Sequence, residues 1–400
     1  MPRSAIQPGR ALAAAAVCAA SGVASAAEWS MQPVLQARTD FNTNRRLLVT
    51  DEKSNAGLWL TLDPTFARST ETGDITFHPR VELQRYSEDT ALDANNLSFQ
   101  LSARHLGERY GLTAQAGYAR DSTLTTELAE TGIIDTSTHR ATLSGSANGA
   151  VNLSMRQSLS VQASYANVEY PNGERFGLTG YRYPSLSTTY TYAPTTLTSL
   201  NLTAFGDVLT APASDYKARE LGVRAGIDHS ISEKWSLSAS AGVSQTHTGE
   251  QGIFFFGFFI PTSPAHTDHG SVWSLHLTRF ADLTQWTLAY DRNVQPSGVG
   301  VLVRRDILNL SATRHLSSRL NATMSLQRYV NDNFSANKHA DDRRYLTGDA
   351  GLDWHASEQM VLSVSAGYSQ SQLVSFDRRA TGWRSAFGIR WTPDRWSASR

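Results

Sequence analysis

Cysteine is almost absent from this sequence. The only one is Cys18, and it lies in an N-terminal stretch that reads as a removable leader. With that leader removed the mature chain would contain no cysteine, and so no disulfide framework, thiolate metal site or cysteine nucleophile. Charge is also scarce: 18% of the residues are Asp, Glu, Lys or Arg, and the two signs balance at 36 each. No basic patch stands out, which argues against nucleic acid as the main partner. No apolar run of about 18 residues follows the N-terminus, so no helix is available to span a membrane. Helical periodicity is nearly missing as well. These absences alone describe a soluble all-β protein.

What is present changes that description. Residues 1–26 have the layout of a cleaved export signal: Arg3 and Arg10, then an apolar core from Ala11 to Ala20, then Ala24-Ser25-Ala26 as a cleavage site. Ala15-Ala16-Val17 before Cys18 is a poor lipid-attachment box. The predicted organisation is a signal peptide over 1–26 and one domain over 27–400.

After the signal the pattern has period two. Tyr110, Leu112, Ala114, Ala116 and Tyr118 alternate with Gly111, Thr113, Gln115, Gly117 and Ala119. Trp235 to Ser244 and Met360 to Ser369 repeat the arrangement. Successive side chains on a strand point to opposite faces, so each segment has one apolar face and one small or polar face. Eighteen such segments run from 29–40 to 382–391, with sixteen as the alternative count. Each is about ten residues long, the length a tilted strand needs to cross a bilayer. Short turns, such as 106–109, 281–283 and 355–358, alternate with longer connections, such as 41–56, 120–138 and 246–269. Three of the short turns resemble one another: His229-Ser-Ile-Ser-Glu-Lys-Trp, His315-Leu-Ser-Ser-Arg-Leu and His355-Ala-Ser-Glu-Gln-Met. They argue for one repeated hairpin. Tyr110 and Tyr118, or Met360 and Tyr368, stand eight residues apart on one face, roughly 26 Å, the spacing of two interfacial girdles. The predicted fold is all-β: a transmembrane antiparallel up-and-down β-barrel in the bacterial outer membrane. Its predicted partners are outer-membrane lipid and the barrel assembly machinery.

If the apolar set faces lipid, charged residues fall in the lumen: Arg38, Asp63, Arg80, Glu82, Arg104, Glu220, Arg224, Asp228, Asp349, Asp353, Arg384 and Arg390. They carry both signs, so they either tune solute selectivity or stiffen the wall as cross-strand ion pairs. The run Ile253-Phe-Phe-Phe-Gly-Phe-Phe-Ile-Pro261 falls in a predicted extracellular loop. Phe254, Phe255, Phe256, Phe258 and Phe259 form a lip in the outer leaflet, a constriction folded into the lumen, or a docking surface. His247, His266, Asp268 and His269 share this loop, and His339, Asp341 and Asp342 share another. No nucleophile motif, HExxH or phosphate loop accompanies them. The sequence therefore predicts no enzyme, no metal site and no cofactor.

The segment Arg120-Asp-Ser-Thr-Leu-Thr-Thr-Glu-Leu-Ala-Glu-Thr-Gly132 resembles a family of outer-membrane β-barrels encoded with the exosortase/PEP-CTERM sorting system and exopolysaccharide clusters. That family is similar to a broader group of porin-like barrels. The resemblance implies a pore or conduit serving exopolysaccharide export or surface assembly, with polysaccharide or export-system components as partners. It supplies no catalytic residues. The alternatives are a scaffold that binds through its extracellular loops and conducts little and, less favoured, a loop-borne outer-membrane hydrolase. At the C-terminal end, Phe387, Ile389 and Trp391 form an aromatic alternating pattern, with Thr392 to Arg400 beyond it. Oligomeric state is left open.

Overall fold

The computed structural model describes residues 27–124, 138–255, 258–333, 343–373 and 378–399. The predicted signal, positions 125–132 of the resemblance segment, and the loop carrying His339, Asp341 and Asp342 lie outside the described residues. The strands are β1 (Glu28–Gln32), β2 (Leu35–Asn42), β3 (Asn55–Leu62), β4 (Thr65–Ser69), β5 (Gly73–Tyr86), β6 (Ala94–Leu106), β7 (Tyr110–Ser122) and β8 (His139–Ser154). They continue as β9 (Gln157–Glu169), β10 (Tyr181–Tyr192), β11 (Thr198–Ala211), β12 (Tyr216–Ser232), β13 (Trp235–Thr248), β14 (Gln251–Phe255), β15 (Phe258–Ser263) and β16 (His266–Phe280). The last are β17 (Thr284–Pro296), β18 (Leu302–His315), β19 (Leu320–Asn333), β20 (Arg343–His355), β21 (Met360–Leu373), β22 (Arg378–Trp391) and β23 (Trp396–Ser399).

These strands close into an 18-strand antiparallel barrel. Each wall stave pairs with its sequence neighbours, and β2 meets β22 from Leu35↔Trp391 to Asn42↔Arg384 to seal the ring. Closure satisfies every edge, which a strand in hydrocarbon requires. Three staves are built from two pieces: β1 with β2, β3 with β4, and β22 with β23. The breaks fall at Pro33, Pro64 and Pro393. The registers Gln32↔Thr65 and Leu35↔Leu62 put Pro33 opposite Pro64. Likewise Phe66↔Phe77 and Leu62↔Val81 put Pro64 opposite Pro79 of β5. A proline donates no N–H, so the ladder is interrupted along one line beside the closure seam. Asp63 N–H to Val34 carbonyl, 2.9 Å, and Gln32 Nε2 to Pro393 carbonyl, 2.6 Å, bridge the gap.

All eighteen predicted segments are present, and most are longer than predicted. The segment 197–206 becomes Thr198–Ala211, and 235–245 becomes Trp235–Thr248. The additions lie mostly on the extracellular side, where outward positions turn polar, as at Gln245 and His247. Pairing continues above the lipid although the apolar signal has ended.

One face of the wall leaves Leu58, Leu60, Leu112, Val223, Val243, Val364 and Phe387 exposed. So extensive an apolar surface requires lipid against it. Aromatics mark its two edges. Tyr368 packs on Trp383 at 4.8 Å toward the longer loops, and Trp235 meets Trp286 edge-on at 5.1 Å toward the short turns. The buried apolar clusters lie on the other side, inside the extracellular half of the barrel.

Candidate functional site: the lumen and its two inward folds

Strand alternation and register put all twelve predicted charged residues on the face opposite the apolar belt. They do not form one constellation. Arg104, Asp353 and Arg390 lie near the short turns and make no ion pair among the described residues. Asp63 there meets His78 at 2.5 Å. On β12, Asp228 accepts from Asn201 Nδ2 at 2.5 Å, and Arg224 lies over the Phe205 ring at 5.9 Å. Glu220 on the same strand is 2% exposed, faces Ser244 and lies within electrostatic range of Arg304.

The others gather where β20 to β22 meet β2, β3 and β5. The Arg384 guanidinium donates to both carboxylate oxygens of Asp349, Nε to Oδ1 at 2.7 Å and Nη2 to Oδ2. The two residues are separated by a whole stave, in the row Asp349↔Gly367↔Arg384. A Cβ at Gly367 would stand 2.8 Å from Arg384 Nε. The missing side chain is what lets the guanidinium cross. Glu82 is held by Arg80 Nη2 at 2.7 Å, Gln84 Nε2 at 2.7 Å and Asn96 Nδ2 at 3.1 Å. Arg38 stacks over Trp59 at 5.4 Å.

Residues 43–54 turn inward over this wall. Asn44, 2% exposed, organises the turn. Its Nδ2 donates to Leu48 and Thr381 carbonyls at 2.8 and 3.0 Å, and its Oδ1 accepts from Leu48 N–H at 2.9 Å. Arg45 forms an ion pair with Asp40 and stacks over Tyr86 at 4.7 Å, while Trp59 Nε1 donates to the other Asp40 oxygen at 2.8 Å. Burial first, and the neighbouring Arg38 and Arg384 cations next, pull the Arg45 pKa below its ordinary value. Arg46 bridges to Asp89 at 2.7 Å. Leu47 has φ +48°, a left-handed conformation costing a side-chain-bearing residue about 1–2 kcal/mol. Its side chain fills a pocket with Tyr329, Tyr345 and Ala380, which offsets that cost. Beneath the turn lies a cavity of ≈ 360 Å³, whose lining includes Trp59, Gln84, Tyr86, Gln327, Tyr345 and Arg384.

The second inward fold is apolar. Pairing between β16 and β17 stops at Trp273↔Arg292, whereas β17 and β18 stay paired up to Pro296↔Leu302. Freed from β16, this hairpin tip curls inside the barrel. Leu302, 0% exposed, packs in a cluster with Leu209, Tyr216, Ala218, Tyr181 and Val168. Its N–H donates to Tyr216 Oη at 3.4 Å. The connection after β9 adds Leu178 to the cluster, and Thr179 N–H reaches Gly298 carbonyl at 2.9 Å. Arg304 follows the hairpin in: a Cβ at Gly270 of β16 would sit 3.0 Å from Arg304 Nη2.

Sequence reasoning passed over several of these groups. Asp40 ends the predicted first segment, and Asp207 of β11, hydrogen-bonded with Tyr183 on the inner face, lies just past the predicted 197–206. Both continue the inward alternation, which was the available signal. Trp59 and Tyr86 carry a large ring on the face taken as small and polar. The Phe-rich run forms a separate backbone hairpin, β14 with β15, with Phe254 opposite Phe259 and Phe255 opposite Phe258. Phe256 and the side chains of this hairpin lie outside the described residues. His266 Nε2 lies 3.3 Å from Asp268 Oδ2. Among the described residues, no three of His, Cys, Asp and Glu are grouped to hold a metal ion.

No family model and no curated protein matches the chain. Among solved structures it is similar to the copper transporter OprC, at 10% identity and TM-score 0.48, with 88% of this chain and 62% of that one covered. It thus spans less than two thirds of the OprC chain. It is also similar to the outer membrane protein opdK from Pseudomonas aeruginosa, at 9% identity and TM-score 0.47 over 92% and 99% of the two chains. OccAB4 of Acinetobacter baumannii gives 10% identity and TM-score 0.46 over 92% and 98%. These likenesses concern barrel architecture. The chain's own closure, apolar belt, aromatic edges and alternation of short turns with longer connections decide its setting. It is a β-barrel of the bacterial outer membrane.

Proposed function

We propose that the barrel is a passive conduit for polar solutes, that its extracellular mouth controls passage, and that carbohydrate is the class it handles. The observation that carries this reading is the cavity beneath residues 44–47. Its indole and phenol rings offer apolar faces to sugar C–H groups, while guanidinium and amide groups around them suit hydroxyls. The resemblance of Arg120–Gly132 to barrels associated with exopolysaccharide supports the same class. The twelve inward charges, of both signs, then tune selectivity without favouring one ion.

Single-channel recording in planar bilayers tests the reading. Steady openings are expected, with interruptions when a neutral gluco-oligosaccharide is added and fewer interruptions in Trp59→Ala. Openings indifferent to every oligosaccharide would keep the pore and reject the carbohydrate assignment. A second reading, a scaffold that conducts little, is favoured by the two inward folds occupying the mouth. Silence from a barrel with intact heat-modifiable migration would select it.

A further inference from the structure

On the outside of the wall, the apolar belt ends toward the longer loops in cations that make no ion pair among the described residues. Arg344 of β20 stands opposite Gln372 of β21, which stands opposite Arg379 of β22, so the three form one row across adjacent strands. Arg328 of β19 lies diagonal to Arg344, through the pairs Arg328↔Leu346 and Val330↔Arg344. At about 4.8 Å between strands, the Arg344 and Arg379 backbones are about 10 Å apart. All three arginines are exposed, and none has an ion pair among the described residues. Arg379 donates to Gln370 Oε1, which also accepts from the Tyr368 hydroxyl at 3.4 Å. Directly below are the packed rings of Tyr368 and Trp383 and then the exposed apolar Val364 and Phe387.

A second cluster repeats the arrangement elsewhere on the wall. Arg182 of β10, Thr210 of β11 and Lys217 of β12 form one row, with Arg219 two residues below Lys217. All three cations are exposed, and Leu186 and Leu221 are exposed beneath them. Elsewhere on this edge an outward arginine has its own counterion: Arg292 Nε meets Asp306 Oδ1 at 2.6 Å. Among the described residues each cluster sets three cations against one same-face carboxylate, Asp332 diagonal to Arg344 and Glu169 diagonal to Arg182. Like charges on neighbouring strands repel one another, so the excess positive charge calls for an anion from outside.

We propose that the two clusters are headgroup sites for phosphate-bearing lipid of the outer leaflet. This rests on the outer-membrane reading but not on conduction. Guanidinium groups bind phosphate through paired, charge-assisted hydrogen bonds. The apolar surface immediately below suits acyl chains, which neither free phosphate nor an acidic polysaccharide possesses.

The test uses full-length barrel purified in neutral detergent, with bis-phosphorylated lipid A as probe and native mass spectrometry as readout. Wild-type protein should bind lipid A at both clusters. The triple variants Arg328→Gln/Arg344→Gln/Arg379→Gln and Arg182→Gln/Lys217→Gln/Arg219→Gln should each lose one of the two bound lipids, and the variant combining all six substitutions should weaken binding tenfold or more. The single Arg379→Gln should weaken it less and serves if a triple variant fails to assemble. Dephosphorylated lipid A should bind wild-type protein as weakly as lipid A binds the variant lacking both clusters, and millimolar inorganic phosphate should not displace the lipid. Equal binding by assembled variants, equal binding of the dephosphorylated lipid, displacement by phosphate, or tighter capture of an acidic polyuronate would each overturn the proposal. Channel recordings on the same preparations separate the readings, because a silent barrel that still selects phosphorylated lipid leaves the headgroup sites standing.

Discussion

Residues 43–54 and the hairpin tip between β17 and β18 both turn into the barrel mouth, yet opposite forces hold them. The first is pinned by Arg45–Asp40, Arg46–Asp89 and the bonds of Asn44, with Leu47 as its one apolar anchor. The second is pinned by Leu302, Leu209, Tyr216 and Leu178, packed together with little exposure. Hydrophobic burial is non-directional and is not weakened by ionic screening, whereas ion pairs depend on exact partners and on screening. The apolar fold is therefore the fixed wall of the mouth, and the polar fold is the part that can be released. The cavity lies under the releasable one.

The largest break in this contrast should come from Leu302→Asp. A carboxylate placed at a site with 0% exposure has no partner there, and the loss should be roughly 3 kcal/mol or more. The expected outcome is a lower urea midpoint with larger single-channel conductance, as the hairpin leaves the mouth. Unchanged conductance in a destabilised barrel would mean that this fold does not narrow the path.

Gly367→Val should rank second. Its side chain would enter the space through which Arg384 reaches Asp349, forcing the pair apart or the stave outward, at about 1–3 kcal/mol. Gly367→Ala should show a smaller loss of the same sign, read by urea midpoint. If valine were tolerated without loss, the cross-stave pair would not be a stabilising contact.

These effects bear on what a single sequence can disclose. The barrel was legible because alternation survives on every stave: lipid on one side and water on the other enforce it residue by residue. Charged residues on the inner face were legible for the same reason. The inward folds were not. Leu302 and Arg304 share the side of the alternation that carries Leu308 and Leu310 toward lipid, yet they end up inside. The cause is separation of β17 from β16 above Trp273↔Arg292, a tertiary event that leaves no mark on local period. Leu47 is equally silent in sequence, because its role depends on a left-handed backbone and on rings about 280 residues or more away. Asp207 lies beyond the point where apolar residues stop on its strand, whereas pairing stops later; Asp40 falls within its predicted segment, and only its contacts with Arg45 and Trp59 reveal its role.

Asp40→Asn sharpens the comparison from the polar side. It keeps the shape and one acceptor for Trp59 but removes the charge that faces Arg45, at about 1–3 kcal/mol for a hydrogen bond to a charged group. The loss falls on the turn and not on the wall. Trypsin should cut after Arg45, Arg46 or Lys53 several-fold to tenfold faster, with the urea midpoint of the barrel nearly unchanged. Equal cleavage rates would show that packing of Leu47 alone holds the turn.

The smallest effect is the most discriminating, because it needs no substitution. Raising ionic strength from 0.1 M to 1 M shortens the screening length from about 10 Å to about 3 Å. Asp40 is nearly inaccessible, with 1% of its side chain exposed, but Arg46 and Asp89 are 26% and 25% exposed. Salt should therefore weaken the Arg46–Asp89 bridge by a few tenths of a kcal/mol, in the range of exposed pairs, and leave the Asp40 contact largely intact. Tryptic cleavage of the turn should rise less than twofold in wild type, and Arg46→Gln should abolish the salt dependence while raising the basal rate slightly. Residues 295–303 around the hairpin tip carry no charged side chain, so access to it, measured by hydrogen exchange of Val301 and Leu302, should not change with salt. A salt response of the same size at both places would mean that electrostatics across the lumen, such as Arg304 facing Glu220, holds the apolar fold as well, and the division into a fixed wall and a releasable one would fail.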